Sequence, residues 1–155
     1  KCSDMALSDK VGIATFYELP MPGNGSLLQP NSDRWAEFNQ WKDKTMHSFE
    51  VRVSTLDVEA TGIEQIDLLW IDVQGAEGNV LKGASKTIKR VAAVFLETAL
   101  VESPYQGAVL FPDLDAMLKA AGFTCVGLGI DGWNFTGNAF WVRDIALKTC
   151  RSSAL

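Results

Sequence analysis

Two carboxylates, Asp72 and Glu97, each follow an apolar run of the sequence. Residues 68–71 and 91–96 are rich in branched and aromatic side chains, which is typical of buried strands. If these strands are parallel neighbours, their carboxyl ends meet at one sheet edge, with the two side chains about 5–10 Å apart. A carboxylate there could take the proton of a hydroxyl group, and two carboxylates could raise a pKa or hold a divalent cation.

The residues after Asp72 predict a turn followed by a helix. Gln74 and Gly75 suit the turn, and Glu77 falls in the first helical turn. Asp72 could therefore be a catalytic base or a helix cap, and Glu77 could reach the crevice or simply complement the helix dipole. We interpret Asp72, Glu77 and Glu97 as the candidate catalytic residues, and the structural alternatives stay open.

Other chemistry has weaker support in the sequence. A single histidine, His47, argues against a multi-histidine metal site, and we predict no metal site. Residues 127–132 match the glycine pattern of dinucleotide-binding turns. The residues after them do not suit a helix start, so we assign this pattern to a hairpin connection.

The composition is that of one globular domain. The 155 residues are 47% hydrophobic and 21% charged, with a net charge of −5. An acidic chain without a basic cluster is a poor match to nucleic acid or an anionic membrane. Three widely spaced cysteines fit a reducing compartment, so we predict a cytoplasmic protein.

The hydrophobic pattern predicts alternating strands and helices. The strand at 66–73 is expected to be central and buried on both faces, and the strands near the carboxyl terminus are expected to form an antiparallel hairpin. The predicted strands are 11–19, 49–56, 66–73, 91–98, 123–128 and 139–142, and the predicted helices are 33–47, 57–63, 76–90 and 112–121.

A set of motifs resembles the FkbM-type S-adenosylmethionine-dependent methyltransferases. The central one is Ile-Asp-Val-Gln-Gly-Ala-Glu with Val-Leu-Lys-Gly-Ala (71–84), and the others are Ala-Leu-Ser-Asp (6–9), Val-Ser-Thr-Leu-Asp (53–57), Tyr-Gln-Gly (105–107) and Ala-Gly-Phe (121–123). The resemblance implies an α/β fold with a Rossmann-like class I methyltransferase sheet. The family's glycine-rich cofactor turn has no counterpart here. We therefore expect residues 1–155 to form one partial domain, truncated in its amino-terminal half.

The resemblance also assigns roles to individual residues. It implies S-adenosylmethionine as cofactor, with Asp72 near the transferred methyl group. Asp4 and Met5 would lie beside the adenine, and the alternative for these two residues is a disordered terminus. Tyr105 and Gln106 would border the pocket of a small-molecule or glycan acceptor. The alternative is a non-catalytic α/β module that does not bind the cofactor alone.

The strand at 66–73 leads to one prediction about assembly. In the family's sheet it pairs on one side with a first strand that is missing here. An unpaired apolar edge without Pro or Lys invites another chain, so we predict a homodimer or a larger assembly joined near this strand. The alternative is that residues 11–19 or 49–56 fold back to cover the edge.

Overall fold

The α/β class is confirmed by the structure, a computed structural model that describes residues 2–20, 22–31, 46–131 and 136–144. The strands are β1 (Ala6–Leu7), β2 (Gly12–Glu18), β3 (His47–Ser54), β4 (Ile66–Ile71), β5 (Val91–Ala99), β6 (Phe123–Asp131) and β7 (Thr136–Arg143). The helices are α1 (Leu56–Glu59), α2 (Glu77–Lys82) and α3 (Phe111–Ala120), with a 3-10 turn at Thr87–Arg90. The helix predicted at 33–47 falls almost entirely outside the described residues.

A four-stranded sheet carries the apolar core, with strand order β4-β5-β7-β6. β4 and β5 run parallel, and β7 is antiparallel to both of its neighbours, so the predicted terminal hairpin is confirmed. The hairpin strands are longer than predicted. The glycine pattern therefore begins within β6 rather than in a connection, because Gly127 and Gly129 pair with β7.

One face of this sheet is covered by α2, α3 and the segment between α2 and β5. Side chains from all four strands are buried beneath them, including the fully buried Trp141 and Phe123. Trp141 also donates its indole N–H to the Asp115 carboxylate at 3.0 Å, which satisfies the polar atom of a buried ring. These buried side chains form one hydrophobic core that holds β4 and β5, the strands before Asp72 and Glu97, in place.

A second sheet has the order β1-β3-β2 and contacts the first through its loops. The backbone of Ser8 runs so close to Gly83 that a Cβ at Gly83 would collide with the Ser8 carbonyl. Asp57 adds a polar link, since its carboxylate accepts the N–H groups of Lys86 and Thr87 at 3.0 and 2.6 Å. The two sheets are therefore joined at the end of α2.

The prediction of one continuous helix over 76–90 is wrong. The α-helix ends at Lys82, and a 3-10 turn follows at Thr87–Arg90. The interruption lies where Gly83 meets Ser8 and where Asp57 captures backbone N–H groups. Capture by a side chain offers those donors an alternative to helical hydrogen bonds.

The prediction that 66–73 is a central strand buried on both faces is also wrong. Among the described residues β4 is an edge strand, as expected from the missing first strand, and Leu68 and Trp70 are 46% and 68% exposed. On that outer face Trp70 packs against Phe95 with ring centroids 4.8 Å apart. Within the described ranges, β2 and β3 belong to the other sheet, so the alternative in which they cover this edge is not observed.

The helices are short. The longest in the described part of the chain has ten residues, and none there is long and apolar enough to cross a membrane.

The homodimer stays a prediction, and the exposed edge offers a test of it. We expect wild-type chain to have twice its 16.9 kDa mass in light scattering, because unpaired N–H and C=O groups of β4 bond to a second copy. Trp70→Lys should shift it to monomer by placing a charge at that edge. Ile13→Lys is the matched control, since Ile13 is 65% exposed on β2, an edge strand of the other sheet. A wild-type monomer at high concentration would rule the dimer out.

Candidate active site

A left-handed turn joins β4 to α2 at the centre of the site. Gln74 has φ +53° and Gly75 has φ +93°. The left-handed region is rare for a residue with a Cβ, and it is held here by hydrogen bonds on both sides. The Glu77 carboxylate accepts the N–H groups of Val73 at 3.2 Å and Gly75 at 3.1 Å.

Glu77 is the most buried carboxylate of the site, at 2% exposure. Burial raises the pKa of its carboxyl, and the charge of Asp72 adds to this, although the backbone donors oppose it. Its Oε1 atom accepts two backbone hydrogen bonds of the turn. This arrangement favours a structural role for Glu77 over a catalytic one.

Asp72 and Glu97 lie at the same edge of the sheet, as predicted. β4 and β5 are parallel, with Ile71 opposite Leu96. Asp72 and Glu97 are the next residues after this pair, so they lie side by side. Asp72 is exposed and Glu97 is half-buried. The amide of Gln74 bridges them, because its Nε2 donates to Asp72 Oδ1 at 2.9 Å and to Glu97 Oε2 at 2.8 Å.

Glu97 has the most perturbed carboxyl of the site. Burial raises its pKa to about 7, and the charges of Asp72 and Glu77 act in the same direction, while the Gln74 amide opposes them. A carboxyl with this pKa can exchange a proton near neutral pH, which is what general acid–base chemistry requires.

Tyr105 closes one side of the site from the loop before α3. It is buried, and its hydroxyl lies 2.8 Å from the Asn24 carbonyl oxygen and 3.2 Å from Gln74 Oε1. Gly75 allows this approach, since a Cβ there would come within 3.1 Å of the Tyr105 side chain. Burial raises the pKa of the Tyr105 hydroxyl well above its usual value, and the three nearby carboxylates add to the effect.

These elements surround a small open cavity. Its volume is about 50 Å³. Its lining comes from the turn, the end of β5, the loop before α3 and the start of β7, and consists of Gln74, Gly75, Glu77, Glu97, Thr98, Ala99, Ser103, Pro104, Tyr105, Ala108, Val109 and Thr136. Asp72 stands beside this lining, joined to it through Gln74.

The remaining predicted site residues lie apart from the cavity. Gln106 is exposed, and its side-chain amide donates to the Pro30 carbonyl at 3.3 Å. Asp4 forms an exposed ion pair with Arg52, and Met5 lies beside it just before β1. The acceptor role of Gln106 and the cofactor roles of Asp4 and Met5 stay predictions.

Sequence reasoning missed two residues of the site. It interpreted Gln74 as part of the turn, whereas the side chain bridges two carboxylates. It overlooked Ser26, which is 1% exposed and donates from its hydroxyl to the Gln74 carbonyl oxygen at 2.8 Å. Ser26 lies 48 residues away in a loop, where no periodic pattern marks it.

The enclosed part of the cavity is small and has room for a few water molecules. The described residues alone do not enclose S-adenosylmethionine. Within that part of the chain, moreover, no three His, Cys, Asp or Glu side chains are arranged to hold a metal ion.

The chain is similar to one protein family and to one characterised protein. Residues 1–125 match the methyltransferase FkbM domain. The chain is 29% identical over 107 residues to the 2-O-methyltransferase NoeI of Sinorhizobium fredii, a match that covers 61% of this chain and 41% of NoeI. The matched part is thus less than half of that relative. No solved structure matches significantly.

The raised pKa of Glu97 predicts how stability depends on pH. Between about pH 4.5 and 7 the folded chain binds more protons than the unfolded chain, so this contribution to stability is lost as the pH rises through 7. Glu97→Gln should therefore be more stable than wild type at pH 8, by about 1–2 kcal/mol, and nearly equal to it at pH 4. Urea unfolding at both pH values measures this, with Glu64→Gln at an exposed position as control. Equal stability of Glu97→Gln and wild type at pH 8 would contradict the assignment.

Proposed function

This chain belongs to the FkbM methyltransferase family, and on that premise we propose that it forms the acceptor side of a site that transfers methyl from S-adenosylmethionine to a hydroxyl oxygen. The cofactor supplies the methyl group. The acceptor is a small molecule or a glycan.

The observation that carries this proposal is the position of Asp72. It follows β4 at the carboxyl end of two parallel strands, where α/β folds bind their ligands, and it lies within the segment that matches the family. Its carboxylate is exposed, so an acceptor hydroxyl can reach it. A helix-capping role alone would not account for the amide that ties it to Glu97.

In the proposed reaction, Asp72 accepts a hydrogen bond from the acceptor hydroxyl and takes its proton, while the methyl group moves from the donor sulfur to the oxygen and S-adenosylhomocysteine leaves. The reaction depends mainly on positioning, since in-line displacement needs the two reacting atoms aligned. The negative charge of Asp72 raises the pKa of the Glu97 carboxyl, so Glu97 takes up a proton near neutral pH. The buried Glu77 and Tyr105 keep the surrounding turn and loop in place.

The hydroxyl acceptor is supported by the chemistry of the site and by the relative. Carboxylate oxygens are strong acceptors for hydroxyl donors. NoeI is named as a 2-O-methyltransferase, which is a methyl transfer to oxygen. A net charge of −5 disfavours a nucleic-acid substrate. We place the reaction in the cytoplasm on the cysteine pattern alone.

A second candidate function is a non-catalytic α/β module. It is favoured by the small size of the enclosed cavity among the described residues. In that case the Asp72 and Glu97 edge would belong to a folded unit that does not bind S-adenosylmethionine by itself.

Calorimetric titration with S-adenosylmethionine separates these two functions. A methyltransferase site in this chain is expected to bind the cofactor with a dissociation constant on the order of micromolar. S-adenosylhomocysteine, which lacks the methyl group, is the matched ligand control. Absence of heat with both ligands at millimolar concentration would favour the non-catalytic module.

Substitution of Asp72 tests its proposed role directly. Asp72→Asn keeps the shape of the side chain and removes the base, so methyl transfer should fall by roughly 100-fold or more. The assay follows labelled methyl groups from S-adenosylmethionine into a panel of glycans and hydroxylated small molecules. Asp67→Asn, at the exposed opposite end of β4, is the control. A rate unchanged by Asp72→Asn would leave Asp72 as a structural residue.

A further inference from the structure

Gln74 occupies a backbone conformation that does not suit its residue type. Its φ of +53° lies in the left-handed region, where Gly, Asn and Asp are favoured. Such a residue persists when its surroundings hold it, and it often marks a functional site. Asn or Gly would adopt this left-handed conformation more readily. The turn by itself therefore does not explain why the residue is a glutamine.

The side-chain amide of Gln74 donates each of its two protons to a different carboxylate. Nε2 carries two protons, and it donates to Asp72 Oδ1 at 2.9 Å and to Glu97 Oε2 at 2.8 Å. Oε1 faces the Tyr105 hydroxyl at 3.2 Å. The reverse orientation of the amide would place its carbonyl oxygen against two carboxylates, so the observed direction is the one that the partners select.

The backbone on either side of this amide is also fixed. Ser26 donates to the Gln74 carbonyl oxygen at 2.8 Å, and the same hydroxyl accepts the Leu28 N–H at 3.0 Å. Glu77 holds the N–H groups of Val73 and Gly75. Gln74 therefore reaches the two carboxylates from a rigid position.

We propose that Gln74 is a positioning residue whose amide fixes the separation of the Asp72 and Glu97 carboxylates and turns Asp72 toward the acceptor. This inference rests on the proposed function, in which Asp72 meets the acceptor hydroxyl. Gln74 acts through its two neighbours and does not itself take part in the chemistry.

The same amide controls when Glu97 loses its proton. The titratable groups that face Glu97 are Asp72 from the end of β4, Glu77 from α2 and Tyr105 from the loop before α3. Burial and the two carboxylate charges favour the neutral form of Glu97, whereas the Gln74 amide stabilises the charged form. Removal of the amide should therefore raise the pKa of Glu97 above its wild-type value of about 7.

The test is a carbon-13 NMR titration of the glutamate carboxyl groups in the full 155-residue chain. Gln74→Asn is the main variant, because Asn tolerates the left-handed turn but is one methylene too short to bridge both carboxylates. The pKa of Glu97 should rise by about 0.5 or more. Gln65→Asn is the matched control, since Gln65 donates to Asp67 at 3.3 Å at the opposite end of β4. A Glu97 titration that is the same in Gln74→Asn and wild type would overturn the proposal.

A second measurement needs no substitution. In wild-type chain, the side-chain amide proton signals of Gln74 should shift with pH in step with the titration of Glu97. Gln65, whose amide donates to Asp67 and lies far from Glu97, provides the reference. Gln74 signals that coincide with those of Gln65 at every pH would contradict the bridge. Neither readout depends on methyl transfer, so a failed S-adenosylmethionine titration would count against the proposed function and leave this test intact.

Discussion

The hydrogen bonds from the backbone to the buried Glu77 carboxylate are the interaction on which the site depends. They hold Val73 and Gly75 at the reversal between β4 and α2, and this keeps Gln74 in a left-handed conformation. A charge-assisted hydrogen bond to a backbone N–H is among the stronger contacts available inside a protein. The helix start, the position of Gln74 and the close approach of Tyr105 to Gly75 all follow from this turn.

The site concentrates negative charge where water is partly excluded. Asp72, Glu77 and Glu97 interact with one another, and the compensation comes from N–H donors of the backbone and of Gln74. Such an arrangement costs stability, because burial and like charges both oppose ionisation. Local destabilisation of this kind is typical of sites whose chemistry requires a shifted pKa.

The sequence was informative where a pattern is local. The apolar runs located β4 and β5, and their ends predicted that Asp72 and Glu97 would be neighbours. It failed where distant segments decide the outcome. The break after Lys82 depends on contacts with Ser8 and Asp57, and the exposure of the outer face of β4 depends on which segments pack against the sheet. No periodicity reports such contacts, since each joins segments far apart in the chain.

The residues that complete the site also depend on contacts between distant segments of the chain. Tyr105 was identified through a motif, but its link to Gln74 and to the loop of Asn24 appears only in three dimensions. Ser26 belongs to the loop that connects the strands of the smaller sheet, yet its hydroxyl holds the turn of the larger one. The sheet edge that carries Asp72 and Glu97 is therefore not modular. A chimera that transplanted the four-stranded sheet into another protein would lose the support of its own turn unless residues 22–31 travelled with it.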